Sequence, residues 1–415
     1  MVTIYLISLF ISPQLWIEPF IGLRLDLLVY PAWLVYLFMK GKGPDIFKFK
    51  AQDKIFIAFL IWLYLSIILN SKNEFTADLS INYIKWFLLY RMLAVSIDTS
   101  EAFRSTINRL LLIVFVIVVE AIQHKYSVDG IGWAGQSLAW VDQSVLDAGG
   151  TGRTRWINIF DGPGVFCVMF TLALPFLLVK QDSHYSFSTR FMYLLLLLPL
   201  LLAIWTTGSR GGFLATLVIF ASYSLSRMNI SVGRMMKVGG LIGVVFMLAP
   251  GYMTAIKDDN KSAQHRVDMW VEGIEMVQQN PLLGIGRGNF SSYTGSLIAH
   301  NSAIEIMGEL GFPGLFFWFA FIYMSIKTIM QAQINATDPE TKSYYRGLII
   351  CIIGYIANSM FVTLEYETFY FILALSRSIN NQENSDVEFN SVDVRRVVFI
   401  GIGFYVLLKI FVRIY

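Results

Sequence analysis

The chain has 415 residues, of which 56% are hydrophobic and 15% charged, with a net charge of +3. A soluble domain carries about 25% charged residues, so this composition excludes a soluble globular protein. The small net charge gives no indication of a nucleic-acid partner. The apolar runs approach the ~20 residues that cross a bilayer and are continuous rather than alternating, which favours helices over strands. We therefore predict an all-α polytopic membrane protein.

The apolar segments predict about 12 transmembrane helices, within a range of 11–13 because two segments are short. The whole chain, 1–415, reads as a single integral membrane domain, and its two cysteines lie in apolar runs where they serve as packing residues. The candidate spans are 2–18, 22–39, 55–70, 80–97, 107–123, 163–179, 191–206, 212–226, 238–254, 312–330, 346–362, 366–379 and 397–413.

The orientation follows from the excess of basic residues in cytoplasmic loops. The stretch "KGKGPDIFKFKAQDK" contains Lys40, Lys42, Lys48, Lys50 and Lys54, so it should be cytoplasmic. Alternation from there places the N-terminus in the cytoplasm and the long loops 124–162 and 255–311 outside it. These two loops are then expected to form a helical extracytoplasmic region that contains the candidate functional site. The side of the membrane on which the C-terminus lies depends on the number of spans, so the sequence does not determine it.

Arginines occur in the first long loop and in the short turn that follows it on the same side. Arg153 and Arg155 lie in "GTGRTRWINIFDGPG" and are candidates for contact with a phosphate or a sugar. Arg210 lies between two spans in "WTTGSRGGFL". It either snorkels to the interface or faces a cavity that holds an anionic headgroup.

The second long loop begins with an amphipathic segment, "HRVDMWVEGIEMVQQNP". Apolar residues recur at helical spacing, so we predict a helix lying on the membrane or on the spans. Asn280 and Pro281 should end it, because the residue before a proline avoids the helical region. Arg266 falls in the first turn, where it is either a solvated arginine or an anion ligand.

The Gly-rich stretch "GIGRGNF" follows this helix. Neither a strand before it nor a suitable helix after it supports a dinucleotide site. Its glycines instead allow the backbone to approach another group closely. Arg287 within it is a candidate phosphate ligand, because a guanidinium can bind an anion with two donors.

A single histidine precedes the next helix, in "AHNSAIEIMGELGFPG". Ser302 and Glu305 have the spacing of a capping box, and Gly311 followed by Pro313 should stop or kink the helix. His300 then lies at the positive end of the helix dipole, which disfavours imidazolium. A neutral His300 could act as a general base, or it could only hydrogen-bond within the loop.

Three stretches together resemble the O-antigen ligase and polymerase superfamily of bacterial membrane glycosyltransferases. They are "TTGSRGGFLATL", "HRVDMWVEGIEMVQQNPLLGIGRGNF" and "AHNSAIEIMGELGFPGLFFW", and they occur in that family's order. The resemblance implies a bacterial inner-membrane protein with about a dozen spans and a periplasmic active site. It also implies metal-independent, inverting transfer of a glycan from undecaprenyl pyrophosphate to an acceptor hydroxyl, with no cofactor.

By the same resemblance, Arg210 and Arg266 hold the pyrophosphate and His300 activates the acceptor. Glu305 is a further candidate, because it could orient the histidine. No acidic cluster in the sequence indicates a metal site. The acceptor is lipid A-core for a ligase, or another glycan for a repeat-unit polymerase of O-antigen or exopolysaccharide. A transporter or flippase of a lipid-linked glycan is an alternative of another class, because it too would use intramembrane arginines.

Overall fold

The computed structural model describes residues 1–70, 75–139, 152–228, 260–295, 297–382 and 387–414. In these residues the regular structure is helical, with two isolated β-bridges in one loop. The predicted all-α class is confirmed. The predicted span 238–254 lies outside the described residues.

Five α-helices make up the N-terminal part of the chain. They are α1 (Val2–Phe10), α2 (Leu25–Met39), α3 (Ala51–Asn70), α4 (Phe75–Ser96) and α5 (Ser100–Tyr126).

Nine further α-helices follow in the described part of the chain. They are α6 (Pro163–Val179), α7 (Phe187–Thr206), α8 (Arg210–Arg227), α9 (Asn260–Gln279), α10 (Phe290–Tyr293), α11 (Ser302–Asn335), α12 (Pro339–Ser359), α13 (Glu367–Gln382) and α14 (Ser391–Ile414).

Four of the described helices are long and apolar enough to cross a membrane, namely α3, α5, α7 and α11. Two shorter apolar helices cover Leu27–Met39 and Pro163–Val179. Leucines on α7 such as Leu194 and Leu198 are 52% and 65% exposed, as expected of side chains that face lipid. These helices support a multi-pass membrane protein, and the number of about 12 spans stays a prediction.

The first predicted span, 2–18, is wrong as a single helix. The helix ends at Phe10, and the chain continues through two short 3-10 turns, Pro13–Leu15 and Glu18–Phe20. Pro13 lacks an N–H and disfavours the right-handed helical conformation at the residue before it. Ser12 lies outside that region, in a left-handed conformation with φ of 52°. Hydropathy could not detect this break, because the residues around it remain apolar.

The predicted kink in α11 is confirmed at Gly311, which has a φ of 69° and interrupts an otherwise continuous helix. Pro313 supplies no N–H, so the helix cannot complete its hydrogen bonds across this point. One carbonyl that the kink leaves without a donor in its own helix is bound by α3, since the indole N–H of Trp62 donates to the oxygen of Leu310 at 3.0 Å. The kink is therefore stabilised by the surrounding bundle.

The amphipathic helix α9 lies on α11 and α14. Its apolar face is buried there, with Trp270 at 4% exposed and Val277 fully buried. Gly273 allows the close approach, because a side chain at that position would collide with Ile304 of α11. The helix ends at Gln279, directly before the Asn-Pro pair, as the sequence predicted. Of the two alternatives, packing against the spans is the one observed.

Candidate functional site

His300 occupies the position directly before the N-cap of α11. Asn301 is the cap, and its side-chain oxygen accepts from the N–H groups of Ala303 at 3.1 Å and Ile304 at 3.2 Å. His300 has a φ of 50°, a conformation that non-glycine residues rarely adopt. Such a residue persists only where its surroundings hold it, as they do at many functional sites.

The predicted capping box is wrong, because Asn301 lies one residue earlier and takes both N–H groups. Ser302 and Glu305 bind the turn at residues 360–366 instead. The Ser302 hydroxyl accepts from the N–H of Leu364 at 2.9 Å, and Glu305 accepts from the hydroxyl of Thr363 at 2.7 Å. This turn thereby holds the first turn of α11 in place.

Arg266 lies close enough to His300 for its charge to affect the imidazole. The two are brought together by Trp270, whose indole N–H donates to the carbonyl oxygen of Ala299 at 3.0 Å. Burial, and after it the positive charge of Arg266, lower the pKa of His300 from 6.5 to about 4. The imidazole is therefore neutral near pH 7, as its position before a helix indicated, with burial as the larger cause.

Arg210 is the first residue of α8, at the end of the bundle where His300 and the N-terminus of α11 lie. Ser209 caps this helix by accepting from the N–H of Gly212 at 3.1 Å. A side chain at Gly211 would lie 2.5 Å from the Cβ of Phe361, so only glycine lets the turn at 360–366 pack here. Residues 360–366 also hold the start of α11, as described above. They therefore connect the N-terminus of α8, where Arg210 lies, with the N-terminus of α11, which His300 precedes.

Arg153 lies beside the turn that leads into α8. Its aliphatic part covers Gly208, where an added Cβ would come within 3.2 Å of the arginine Cγ. The backbone next to Arg153 is joined to the end of α7, because the N–H of Thr154 donates to the oxygen of Thr206 at 3.1 Å. The structure thus brings Arg153 to the neighbourhood of Arg210.

Arg155 contacts residues other than those around Arg153 and Arg210. It forms an ion pair with Asp161 at 2.8 Å and donates to the backbone oxygen of Ser137 at 2.9 Å. Both contacts lie within its own loop, so they brace that loop. This geometry favours a structural role for Arg155.

Arg287 is 4% exposed and surrounded by protein groups. It donates to the hydroxyl of Tyr83 at 2.7 Å and to Glu365 at 2.7 Å. It also donates to Glu305 at 3.3 Å and to Glu309. We call these five residues the Arg287 network. With all three guanidinium nitrogens engaged, the geometry favours a structural role for Arg287 over the phosphate contact that the sequence predicted.

The Arg287 network places three carboxyl groups around one guanidinium in the protein interior. Burial raises the pKa of Glu365 from 4.5 to about 7, against the opposing effect of Arg287. Sequence reasoning missed Glu309, Glu365 and Tyr83. A signal existed for Glu309, because an acidic residue inside an apolar helix requires a buried partner.

The Gly-rich arm before α10 approaches the backbone of α11. A side chain at Gly284 would overlap the backbone of Glu309. The N–H groups of Ile285 and Gly286 donate to the oxygens of Gly308 at 3.1 Å and Glu309 at 2.9 Å. The group that these glycines allow to come close is therefore the kinked helix, whose carbonyls lack their usual partners.

Among the described residues, no group of three or more His, Cys, Asp or Glu side chains is arranged to hold a metal ion. The chemistry offered by the predicted site is a neutral imidazole beside Arg266, with Arg210 and Arg153 on the adjoining turns. Such an arrangement can accept a proton and bind an anion.

Comparison with known proteins bears on this end of the bundle. Residues 194–319 match the family model described as O-Antigen ligase. The match includes His300, Arg210, Arg266 and Arg287, and it begins after Arg155. No curated protein matches the chain significantly. Residues 194–319 are thus similar to the O-antigen ligase family, which supports the resemblance seen in the sequence, and together with the apolar helices this match supports a multi-pass membrane protein.

Proposed function

We propose that the chain is a membrane glycosyltransferase that moves a glycan from undecaprenyl pyrophosphate to an acceptor hydroxyl. The reaction takes place on the periplasmic side of the bacterial inner membrane, with the N-terminus in the cytoplasm. The observation that carries the proposal is the neutral His300 held beside Arg266, within the segment that matches the O-antigen ligase family.

His300 acts as the general base. It takes the proton from the acceptor hydroxyl while that oxygen forms a bond to the anomeric carbon. The bond between this carbon and the pyrophosphate oxygen breaks, and the electron pair leaves with undecaprenyl pyrophosphate. Attack from the face opposite to the leaving group inverts the configuration.

Arg266 and Arg210 bind the pyrophosphate and stabilise the charge that develops on it. Pyrophosphate is a good leaving group, so charge stabilisation by preorganised donors can replace a metal ion. Arg153 is a further contact for the pyrophosphate or its first sugar, because its side chain lies against the turn before Arg210. The transfer needs no cofactor.

Donor binding also strengthens the base. With a pKa of about 4, His300 is neutral but a weak proton acceptor, because a general base works best when its pKa lies near the working pH. A pyrophosphate beside Arg266 offsets the positive charge that lowers this pKa. The imidazole therefore becomes more basic when the donor is in place.

Glu305 and Arg287 contribute to the reaction by holding α11, the helix that follows His300, in position. Glu305 lies in the first turns of α11 and is bound by Thr363 and Arg287, so both residues hold the helix that follows His300. Arg155 braces the neighbouring loop through Asp161.

The test is a transfer assay with the purified protein and lipid-linked glycan extracted from the source organism. Lipid A-core and a second lipid-linked glycan are offered as acceptors, which separates a ligase from a polymerase. The parent and His184→Ala should transfer glycan, also in the presence of EDTA. His300→Ala should transfer it about 10²–10⁴-fold more slowly. Translocation of the lipid-linked glycan by all three proteins, without transfer, would establish the transporter instead.

A further inference from the structure

A cavity of about 540 Å³ lies among the N-terminal helices of the bundle. It is formed by α1, the loop between α1 and α2, α2, α4, the start of α13 and the loop before α6. The residues that matter here are Gln14, Tyr30, Asn82, Trp86, Asn158 and Glu367. Its volume falls within the range of about 300–1,000 Å³ that is typical of small-molecule sites.

The cavity lies beside the predicted site. Asn158 belongs to the loop that carries Arg153 and Arg155, and Glu367 begins the helix that follows the turn at 360–366. The wall formed by Glu367 is fixed by Tyr30, whose hydroxyl donates to the carboxylate at 2.6 Å.

The lining suits a carbohydrate. Gln14, Asn82 and Asn158 carry amide groups, which both donate and accept hydrogen bonds, as sugar hydroxyls do. Trp86 adds an aromatic surface against which the C–H groups of a sugar ring can pack. Arg24 and Lys85 also border the cavity, so an acidic substituent on the sugar is compatible with it.

Among the described residues, two buried polar atoms in the wall have no hydrogen-bond partner, the Tyr5 hydroxyl and the side-chain oxygen of Gln14. The side-chain oxygen of Gln14 is buried and accepts no hydrogen bond. Buried acceptors are nearly always satisfied, so this oxygen indicates a donor that a ligand supplies.

The cavity wall is continuous with the Arg287 network. The ring of Trp86 lies 4.9 Å from that of Tyr83 and stacks on Tyr370 at 5.2 Å. Tyr83 accepts from Arg287, and Tyr370 donates to Glu365 at 3.0 Å. A ligand against Trp86 is thus one side chain away from Tyr83 and Tyr370, which bond to Arg287 and Glu365.

We infer that this cavity binds a saccharide unit of the transferred glycan or of its acceptor. The inference rests on the proposed function for the identity of the ligand. The cavity is then a second subsite that positions one glycan chain while reaction occurs at His300.

A reporter thiol tests binding without requiring transfer. Both native cysteines are buried, so Asn82→Cys introduces one accessible thiol inside the cavity. The probe is the oligosaccharide released by mild acid from the source organism's lipid-linked glycan. The oligosaccharide should slow maleimide labelling of Asn82→Cys and leave that of Glu101→Cys unchanged, because Glu101 lies in the first turn of α5 and does not line the cavity. Unchanged labelling at saturating oligosaccharide, or protection by dihexanoyl phosphatidylglycerol alone, would overturn the inference and, in the second case, indicate a lipid headgroup.

Gln14→Ala tests the role of the cavity in the reaction. The substitution removes an oxygen that accepts no hydrogen bond from any described residue, so a structural role predicts no change. We expect KM to rise about 10-fold with kcat unchanged, as for the loss of one hydrogen bond to a substrate. A rise in the KM of the donor or of the acceptor identifies which saccharide occupies the cavity. Parental KM for both, matching the exposed control Gln331→Ala, would refute the subsite even if transfer itself is confirmed.

Discussion

The indole N–H of Trp270 donates to the carbonyl oxygen of Ala299 at 3.0 Å, so the residue before His300 is fixed to the helix that carries Arg266. Arg266 and Trp270 are one helical turn apart on α9. The proposed base and the nearby positive charge lie on different segments, and this hydrogen bond joins them. Their relative position therefore depends on the packing of α9 against α11.

Loss of this hydrogen bond should impair catalysis more than donor binding. Trp270→Phe keeps an aromatic ring in the interface and removes the N–H. We expect kcat to fall about 10-fold, because a neutral hydrogen bond contributes roughly 1 kcal/mol and small displacements of a base are costly. The measurement is steady-state transfer by the purified variant. Trp318→Phe is the matched control, since that indole is buried and its N–H has no partner in the part of the chain that the structure describes. Equal rates for the two variants would refute the positioning role.

His300 and the arginines should fail in different ways. His300→Ala is expected to lower transfer by about 10²–10⁴-fold while donor binding persists, because only proton abstraction is lost. Arg266→Ala and Arg210→Ala should weaken donor binding as well, and lysine at either position should restore it only in part. Binding of undecaprenyl pyrophosphate and glycan transfer are measured on the same preparations. Parental transfer by all three alanine variants would show that the site lies elsewhere.

The pH dependence should report the base and its neighbour. Because the base must be neutral, kcat/KM is expected to be constant near neutral pH and to fall as the pH drops through about 4, the pKa of His300. Arg266→Gln removes a positive charge that lowers this pKa, so its fall in kcat/KM should occur at higher pH. In the parent, kcat should fall at higher pH than kcat/KM, since bound pyrophosphate offsets Arg266. An Arg266→Gln profile identical to that of Arg227→Gln would contradict the coupling.

Arg287 should prove structural. Arg287→Ala leaves Glu305, Glu309 and Glu365 buried without their cation, and breaking a buried pair costs about 3–5 kcal/mol. We expect a lower Tm and less folded protein. The folded fraction should bind undecaprenyl pyrophosphate with parental affinity, as a scintillation proximity assay would show. A parental Tm combined with lost pyrophosphate binding would instead make Arg287 a ligand.

The membrane orientation can be tested by labelling. Residues 255–311 are expected outside the cytoplasm and 40–54 inside it, because the lysines crowd the second stretch. Lys48 has a side chain that is 77% exposed, and Leu297 is 43% exposed, so a cysteine at either position is accessible. An impermeant maleimide added to intact cells should label Leu297→Cys and spare Lys48→Cys. The reverse pattern would invert the topology and place His300 in the cytoplasm.

Local sequence was sufficient wherever a feature depends on neighbouring residues. Low charge and continuous apolar runs predicted an all-α membrane protein, because a chain in lipid must satisfy its backbone internally. The Asn-Pro pair predicted the end of α9, and Gly311 with Pro313 predicted the kink in α11. The stretches around Arg210, Arg266 and His300 were sufficient to indicate the superfamily.

Tertiary packing decided the features that join distant residues. Arg287 bonds to Tyr83, 204 positions away, and to Glu365, 78 positions away. An isolated arginine in a Gly-rich arm has the same sequence signature whether it binds a phosphate or buried carboxylates. The cavity likewise joins Gln14, Asn82 and Asn158 from three separate segments. Even the cap of α11 depended on packing, since the turn at 360–366 engages Ser302 and Glu305 and leaves Asn301 to bind the free N–H groups.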